Sequence, residues 1–282
     1  MDTEKEIARF TSYMTGERKS PHTIKEYKFL VSLFLNFINK SLETCSTDDV
    51  ENFKNYLASV KKYSKSSQYL AIKAVRHLYK SKSIPPLVNL TVPKRPRKMP
   101  NYLSEKDASR LIEEASKRNL TTGVIISILA HTGIRVGELC NLKISDVDLS
   151  ESIIYIHSGK GDRDRIVIIP RECKDLLSEY LPQRFRSSNG SDALILSRRG
   201  SKFDSSTIER IVRKLGRDAG IGKKVTPHVL RHTFATAVLR NGGDIRFIQQ
   251  LLGHASVATT QIYTHVDDST LREMYEKHRP KY

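Results

Sequence analysis

The chain has 282 residues, 38% of them hydrophobic, a formal net charge of +17 at pH 7 and three cysteines. That length suffices for two domains with their own cores; with no apolar run near the length of a membrane span, a soluble, cytoplasmic protein with no membrane partner is expected, and the charged start MDTEKEIARF is no signal peptide. Cys45, Cys140 and Cys173 are too scattered for a disulfide framework or a cysteine metal site, while the positive charge favours a nucleic-acid partner, because basic groups release counterions from phosphates.

Residues 1–84 read as helices alone. Ser20-Pro21-His22-Thr23 is a start signal, and Ile24, Tyr27, Val31, Phe34 and Ile38 then keep helical spacing. Ser46-Thr47-Asp48-Asp49 fits a capping box before Val50, Phe53 and Leu57. A further helix runs from Ser66 to Lys80, with Lys65, Lys73, Arg76, Lys80 and Lys82 off its apolar side. Charge is concentrated here: residues 1–100 hold 19 Lys and Arg against 9 Asp and Glu, and the remaining 182 hold 29 against 22. A compact four-helix domain gripping duplex DNA is expected, although any single one of these lysines reads equally as a solvated surface group. Residues 85–100 contain five prolines and the run Lys94, Arg95, Arg97, Lys98, a basic extended linker. Two domains on such a linker are expected to close around DNA as a C-shaped clamp.

The second domain, 101–282, opens on the capping signature Leu103-Ser104-Glu105-Lys106-Asp107, with a helix to Arg118. TTGVIISILAH (121–131) is apolar all round and predicts a buried helix, stopped at Thr132-Gly133. Arg135 opens the next helix with Glu138 three residues on, which reads as a surface ion pair or as a brace for a guanidinium in a cleft. Residues 152–158 and 165–170 are β-rich runs around Gly159-Lys160-Gly161-Asp162, a hairpin signature that puts Lys160 at the turn. Residues 193–197 offer a third strand, and helices are expected near 171–181 and 205–218. Arg198, Arg199, Lys202, Arg210, Arg213 and Lys214 are candidate phosphate or base contacts.

Thr226-Pro227 starts a helix that carries His228 and Arg231. Its N–H groups and positive dipole end suit an anion, phosphate above all. Asn241-Gly242-Gly243 stops it, Asp244 caps a second helix that Gly253 ends, His254 follows at once, and Ser256 caps a short helix bearing Tyr263. A last helix spans about Ser269 to His278, too short to stand alone, so it must pack on something. His228 and His232 have the i, i+4 spacing that holds zinc, but HVLRH lacks a glutamate after the first histidine and its arginine would repel a cation, so no metal is expected. His232 is then a core residue or a support for the site.

The stretches HTGIRVGEL (131–139), SGKGDRDRIVIIP (158–170), HVLRH (228–232) and LLGH (251–254), with a tyrosine nine residues beyond that last His, together resemble the tyrosine recombinase, or phage integrase, family. The resemblance, closest to the Xer type, implies a mainly α protein with a small antiparallel β-sheet, in which a SAM-like helical core-binding domain (1–84) precedes an α+β catalytic domain. It implies the catalytic set Arg135, Lys160, His228, Arg231, His254 and Tyr263, with Tyr263 forming a 3′-phosphotyrosyl link to DNA and neither metal, ATP nor other cofactor required. It further implies double-stranded DNA as partner, a tetramer on two duplexes with C-terminal tail exchange, and resolution of chromosome dimers at a dif-like site. A mobile-element integrase, a type IB topoisomerase-like relaxing enzyme and a DNA-binding protein without catalysis are the alternatives.

Overall fold

The computed structural model describes residues 3–84, 101–157, 164–186, 190–197, 199–253 and 268–282. It divides into two compact units, Met1–Lys98 and Met99–Tyr282. The first contains four α-helices among its described residues: α1 Thr3–Gly16, α2 Pro21–Ile38, α3 Thr47–Asn55 and α4 Lys65–Ser81. The starts of α2, α3 and α4 each have a side-chain reason. Ser20 Oγ accepts from Thr23 N, Ser46 and Asp49 form a reciprocal capping box, and Ser64 Oγ accepts from Ser67 N. Phe10, Met14, Phe34, Phe53, Leu57, Ile72 and Val75 fill the core, where Phe34 meets Phe53 edge-on at 5.1 Å. The helical spacing that marked α2 is thus the spacing of its buried face.

The second unit is organised around α6, Leu120–Thr132, capped by Asn119 and ended by Gly133 in the left-handed conformation. Val124, Ile125, Ile126, Ile128 and Leu129 are fully buried because α5 (Glu105–Arg118) covers one side and α8 (Arg171–Arg186) and α10 (Pro227–Arg240) cover others. A helix apolar on every face is stable only when wrapped in this way. Around it lie α7 (Val136–Asn141), α9 (Ser205–Asp218), α11 (Ile245–Leu252) and α12 (Asp268–His278). No described helix is long and apolar enough to cross a membrane.

The sheet has three antiparallel strands in the order β1 (Val147–Asp148), β2 (Ile153–Ile156), β3 (Arg165–Ile168). Ile154 pairs with Val167 and Ile153 with Ile168. Ile154, Ile156 and Val167 join the main core, whereas Ile153 and Ile168 join a second cluster with Phe234, Val238, Phe247, Leu251 and Tyr275. Both faces are covered, which explains the near-continuous apolar runs.

Two expectations change. The third strand is Val147–Asp148, while 193–197 makes only isolated bridges, Ala193 to Lys143 and Leu196 to Lys202. Side chains of α8 take its backbone groups instead: Arg184 Nε donates to Ala193 O at 3.0 Å, Tyr180 Oη donates to Leu194 O at 3.3 Å and accepts from Leu196 N at 3.2 Å. The same contacts explain why α8 continues past Pro182 to Arg186. Proline removes one helix hydrogen bond, and the buried Arg184 anchors the turn beyond it.

The last helix packs on its own unit in this single chain. Tyr275 is 1% exposed, and its hydroxyl donates to His131 O at 2.9 Å. Asn241 Nδ2 donates to Arg279 O at 2.9 Å, and the Tyr282 ring lies 5.4 Å from that of His131. Burial pushes the Tyr275 hydroxyl far above its ordinary range, so it stays a neutral donor.

Candidate active site

The site is built where α6, α7, α10 and α11 end or begin. Thr226 Oγ1 accepts from Val229 N at 3.2 Å and Pro227 occupies the first turn of α10. This sets His228 outward, with His232 one turn on. Their Nε2 atoms are 3.0 Å apart and the rings meet edge-on at 4.3 Å. One ring must donate and the other accept, so at least one is neutral. Burial, then the neighbouring His228 and the Arg231 cation, hold His232 below the ordinary imidazole range.

Arg231 points inward and is 7% exposed. Its Nη1 donates to Gly133 O and its Nη2 to Leu252 O, both at 2.7 Å. Gly133 is required twice over. Its φ is +63°, and a Cβ there would stand 2.6 Å from Phe234 Cδ1 and 2.9 Å from Leu252 Cδ2. The left-handed turn that ends α6 therefore delivers the carbonyl that one catalytic candidate needs.

Arg135 lies two residues further, extended at φ −74° and ψ 149°, as the residue that starts α7. Glu138 Oε2 accepts from the Arg135 backbone N–H at 2.7 Å, and Glu138 Oε1 accepts from Arg135 Nη1 at 2.8 Å. Arg135 Nη2 donates to Gly253 O at 3.4 Å. The Arg135 side chain is 38% exposed and Glu138 10%. The i, i+3 pair is therefore the bracing arrangement, not a surface pair. Burial alone would raise the Glu138 carboxyl, but Arg165, the Arg135 N–H and the Arg135 guanidinium outweigh it and hold the acid below its ordinary range.

Arg165 is the residue that sequence reasoning did not single out. It opens β3, donates from Nη1 and Nη2 to both Glu138 oxygens at 3.0 and 2.8 Å, and donates from Nε to Leu251 O at 3.0 Å. The available signal was a charged residue beginning a strand whose other positions are apolar. Three successive carbonyls at the end of α11, Leu251, Leu252 and Gly253, thus accept from Arg165, Arg231 and Arg135. Such carbonyls lack intrahelical partners and form the negative end of the helix dipole, so cations gather there. A guanidinium is a rigid fork of donors, and fixing part of it on carbonyls orients the whole plate.

The structure therefore brings Arg135 and Arg231 to one place, with His228 at the start of the helix that carries Arg231. Lys160, His254 and Tyr263, with the helix expected after Ser256, lie outside the described residues. Among the described residues no group of three or more His, Cys, Asp or Glu is placed to hold a metal ion. Arg210, Arg213 and Lys214 are exposed on α9, whereas Lys202 Nζ donates to Asn141 Oδ1 at 2.6 Å; Arg198 lies outside the described residues.

Residues 101–270 match the model of the phage integrase family, and 7–83 match the phage integrase N-terminal SAM-like domain. The tyrosine recombinase XerA of Pyrococcus furiosus is 37% identical over 276 residues, covering 96% of this chain and 93% of its own. The chain belongs to the phage integrase family. It is a tyrosine recombinase of the Xer type, an enzyme of a family that cuts and rejoins DNA strands without a metal. A crystal structure of an XerA recombinase is 62% identical across the full length of both chains, with a TM-score of 0.55. The XerH site-specific recombinase bound to its difH substrate before cleavage is 25% identical, with a TM-score of 0.69 over 87% of this chain and 78% of that one. The mainly helical recombinase with a small antiparallel sheet is the fold expected from the motifs, and this is the fold found.

Proposed function

We propose that this recombinase resolves chromosome dimers at a dif-like site and that Arg135, Lys160, His228, Arg231, His254 and Tyr263 carry the reaction. The observation that carries the reading is the convergence of Arg135 and Arg231 on the end of α11, one residue before His254 in the chain. Two oriented guanidinium forks suit the non-bridging oxygens of one phosphate. Tyrosine has a pKa near 10 and is a weak nucleophile at neutral pH. Charge stabilisation on the phosphate makes its attack feasible. Tyr263 Oη forms a bond to phosphorus as the bond to the 5′-oxygen breaks. Lys160 gives that oxygen a proton, His228 takes the tyrosine proton and His254 donates to a non-bridging oxygen. The phosphodiester energy is kept in the phosphotyrosyl bond, and the 5′-hydroxyl of a partner strand later reverses the step.

Affinity falls to the basic surfaces. Lys19, Lys73, Arg76 and Lys80 line one open hollow of the N-terminal unit with His77 and Tyr27, and Arg210, Arg213, Lys214 and Arg217 form an exposed stripe along α9. We assign both to DNA phosphates, with the two units gripping the duplex as a clamp in a cytoplasmic, nucleoid-associated tetramer. In that tetramer a neighbour's last helix takes the seat that Tyr275 fills in the single chain. Trapping on nicked duplexes in EDTA tests the chemistry: the wild type should leave a protease-sensitive covalent adduct and Tyr263→Phe none, with DNA binding retained. An adduct on dif-like DNA alone supports the chromosomal role. An adduct on any sequence would favour a relaxing topoisomerase, and an adduct from Tyr263→Phe would point to a different nucleophile.

A further inference from the structure

We propose that Arg165 is a positioning residue of the strand-cutting reaction, aligning Arg135 through two of that arginine's acceptors. The first acceptor is Glu138. Its Oε1 takes Arg135 Nη1 and Arg165 Nη1, and its Oε2 takes the Arg135 N–H and Arg165 Nη2. A carboxylate offers about four lone-pair sites, and these four bonds fill them. An i, i+3 pair between Arg135 and Glu138 alone would be loose and of small energy. Arg165 reaches in from a strand 27 residues away, with its side chain 8% exposed, and fixes the carboxylate plane from outside α7.

The second acceptor is Gly253. Its carbonyl takes Arg135 Nη2, and its Cα lies against the Arg165 guanidinium so closely that a Cβ would stand 2.9 Å from Arg165 Nη1. Arg165 Nε also holds Leu251 O. One side chain thus sets the carboxylate and the α11 carbonyl between which the Arg135 fork is held. This needs a planar, two-pronged cation. Lysine is a point charge and cannot grip both carboxylate oxygens while also reaching Leu251 O.

The inference rests on the phosphotyrosine reading, and its test separates the two. Rates of adduct formation on a nicked duplex are compared for the full-length wild type, Arg165→Lys, Arg165→Gln, Arg135→Lys and the double variant R135K/R165K. Displacing a reacting group by about 1 Å costs on the order of 100-fold in rate, and a loss of that size is expected for R165K at saturating DNA, with affinity and melting temperature near wild type. R165Q leaves Glu138 short of charge and serves only if it folds. The double variant should be no slower than R135K, because Arg165 acts through Arg135. Wild-type rates for R165K, or losses in the double variant that multiply, would overturn the assignment. Should the wild type itself form no adduct, the phosphotyrosine reading fails, and the positioning claim is then read from the Arg135 Nε–Hε resonance. Arg165→Lys must move that resonance, and an unmoved one rejects the claim.

Discussion

The basic surface of the N-terminal unit and the arginines at the end of α11 use the same kind of charge in opposite ways. In the N-terminal unit the cations stand on the surface. Lys65, Lys73, Arg76 and Lys80 are exposed, and Lys82 and Lys80 reach Glu6 and Glu17 at 2.6 and 3.4 Å. In the C-terminal unit Arg231 and Arg165 are sunk into the protein and held on backbone carbonyls and a buried carboxylate. An exposed cation costs little to keep and is screened within about 10 Å at 0.1 M salt, so it supplies affinity without geometry. A buried guanidinium must have its donors satisfied, and that same satisfaction orients it. The first arrangement suits a long, uniform polyanion and the second a single phosphate.

The sharpest way to break this contrast is Arg231→Ala. A cleavage loss of about 10²–10³-fold is expected, as for removal of one transition-state donor, with DNA affinity in a filter-binding assay changed only a few-fold. An equal fall in both would make Arg231 an anchor of the same kind as the surface lysines. Next in size is Gly133→Ala. The left-handed backbone alone costs about 1–2 kcal/mol, and the contacts with Phe234 and Leu252 add to it. Its melting temperature should drop, and cleavage should fall further than stability explains, because the Gly133 carbonyl moves away from Arg231.

Lys73→Ala sharpens the other side of the comparison. Affinity should weaken uniformly across sequences and the slope of log K against log salt should shrink by about 0.9, one phosphate contact, while the adduct rate at saturation stays unchanged. A slower rate at saturation would give Lys73 a part in the chemistry.

The smallest effect concerns two acids, both held below the ordinary carboxylate value of 4.5. Glu17 is held at about 2, first by the Tyr13 hydroxyl and then by the neighbouring His77 and the Lys19 and Lys80 cations. A depressed acid stabilises the fold above its ordinary value and loses that contribution as pH falls through its folded value. Stability of Glu138→Gln and Glu17→Gln variants against pH, from urea midpoints below pH 5, should therefore show shallower acid slopes than the wild type. Adding 1 M salt should shrink the Glu17 difference more than that of the shielded Glu138. Equal salt sensitivity would mean that Glu138 is as solvated as Glu17.

Much of this was legible from the chain. Caps named the starts of α2, α3, α5, α10 and α11 because a Ser, Thr, Asp or Asn side chain bonds a backbone N–H two or three residues on, a wholly local event. The all-apolar run of α6 announced its burial, and the motifs named Arg135, His228 and Arg231. The segment at 193–197 misled because β-propensity reports a fit to a half-buried surface, and here α8 provides the surface without a ladder. Arg165 passed unseen because its partners, Glu138 and Leu251, lie 27 and 86 residues away.

The sequence by itself therefore determined where most helices and the β2–β3 pair lie, which faces are apolar, that nucleic acid is the partner and which family's chemistry is encoded, since each of these depends on neighbours within a few residues or on side-chain type. Only the tertiary structure decided that Arg135, Arg165 and Arg231 end on three consecutive carbonyls of α11, that Glu138 binds two arginines and that Tyr275 is seated on its own unit. Those outcomes depend on where separate helices end in space, and long-range packing around α6 sets that.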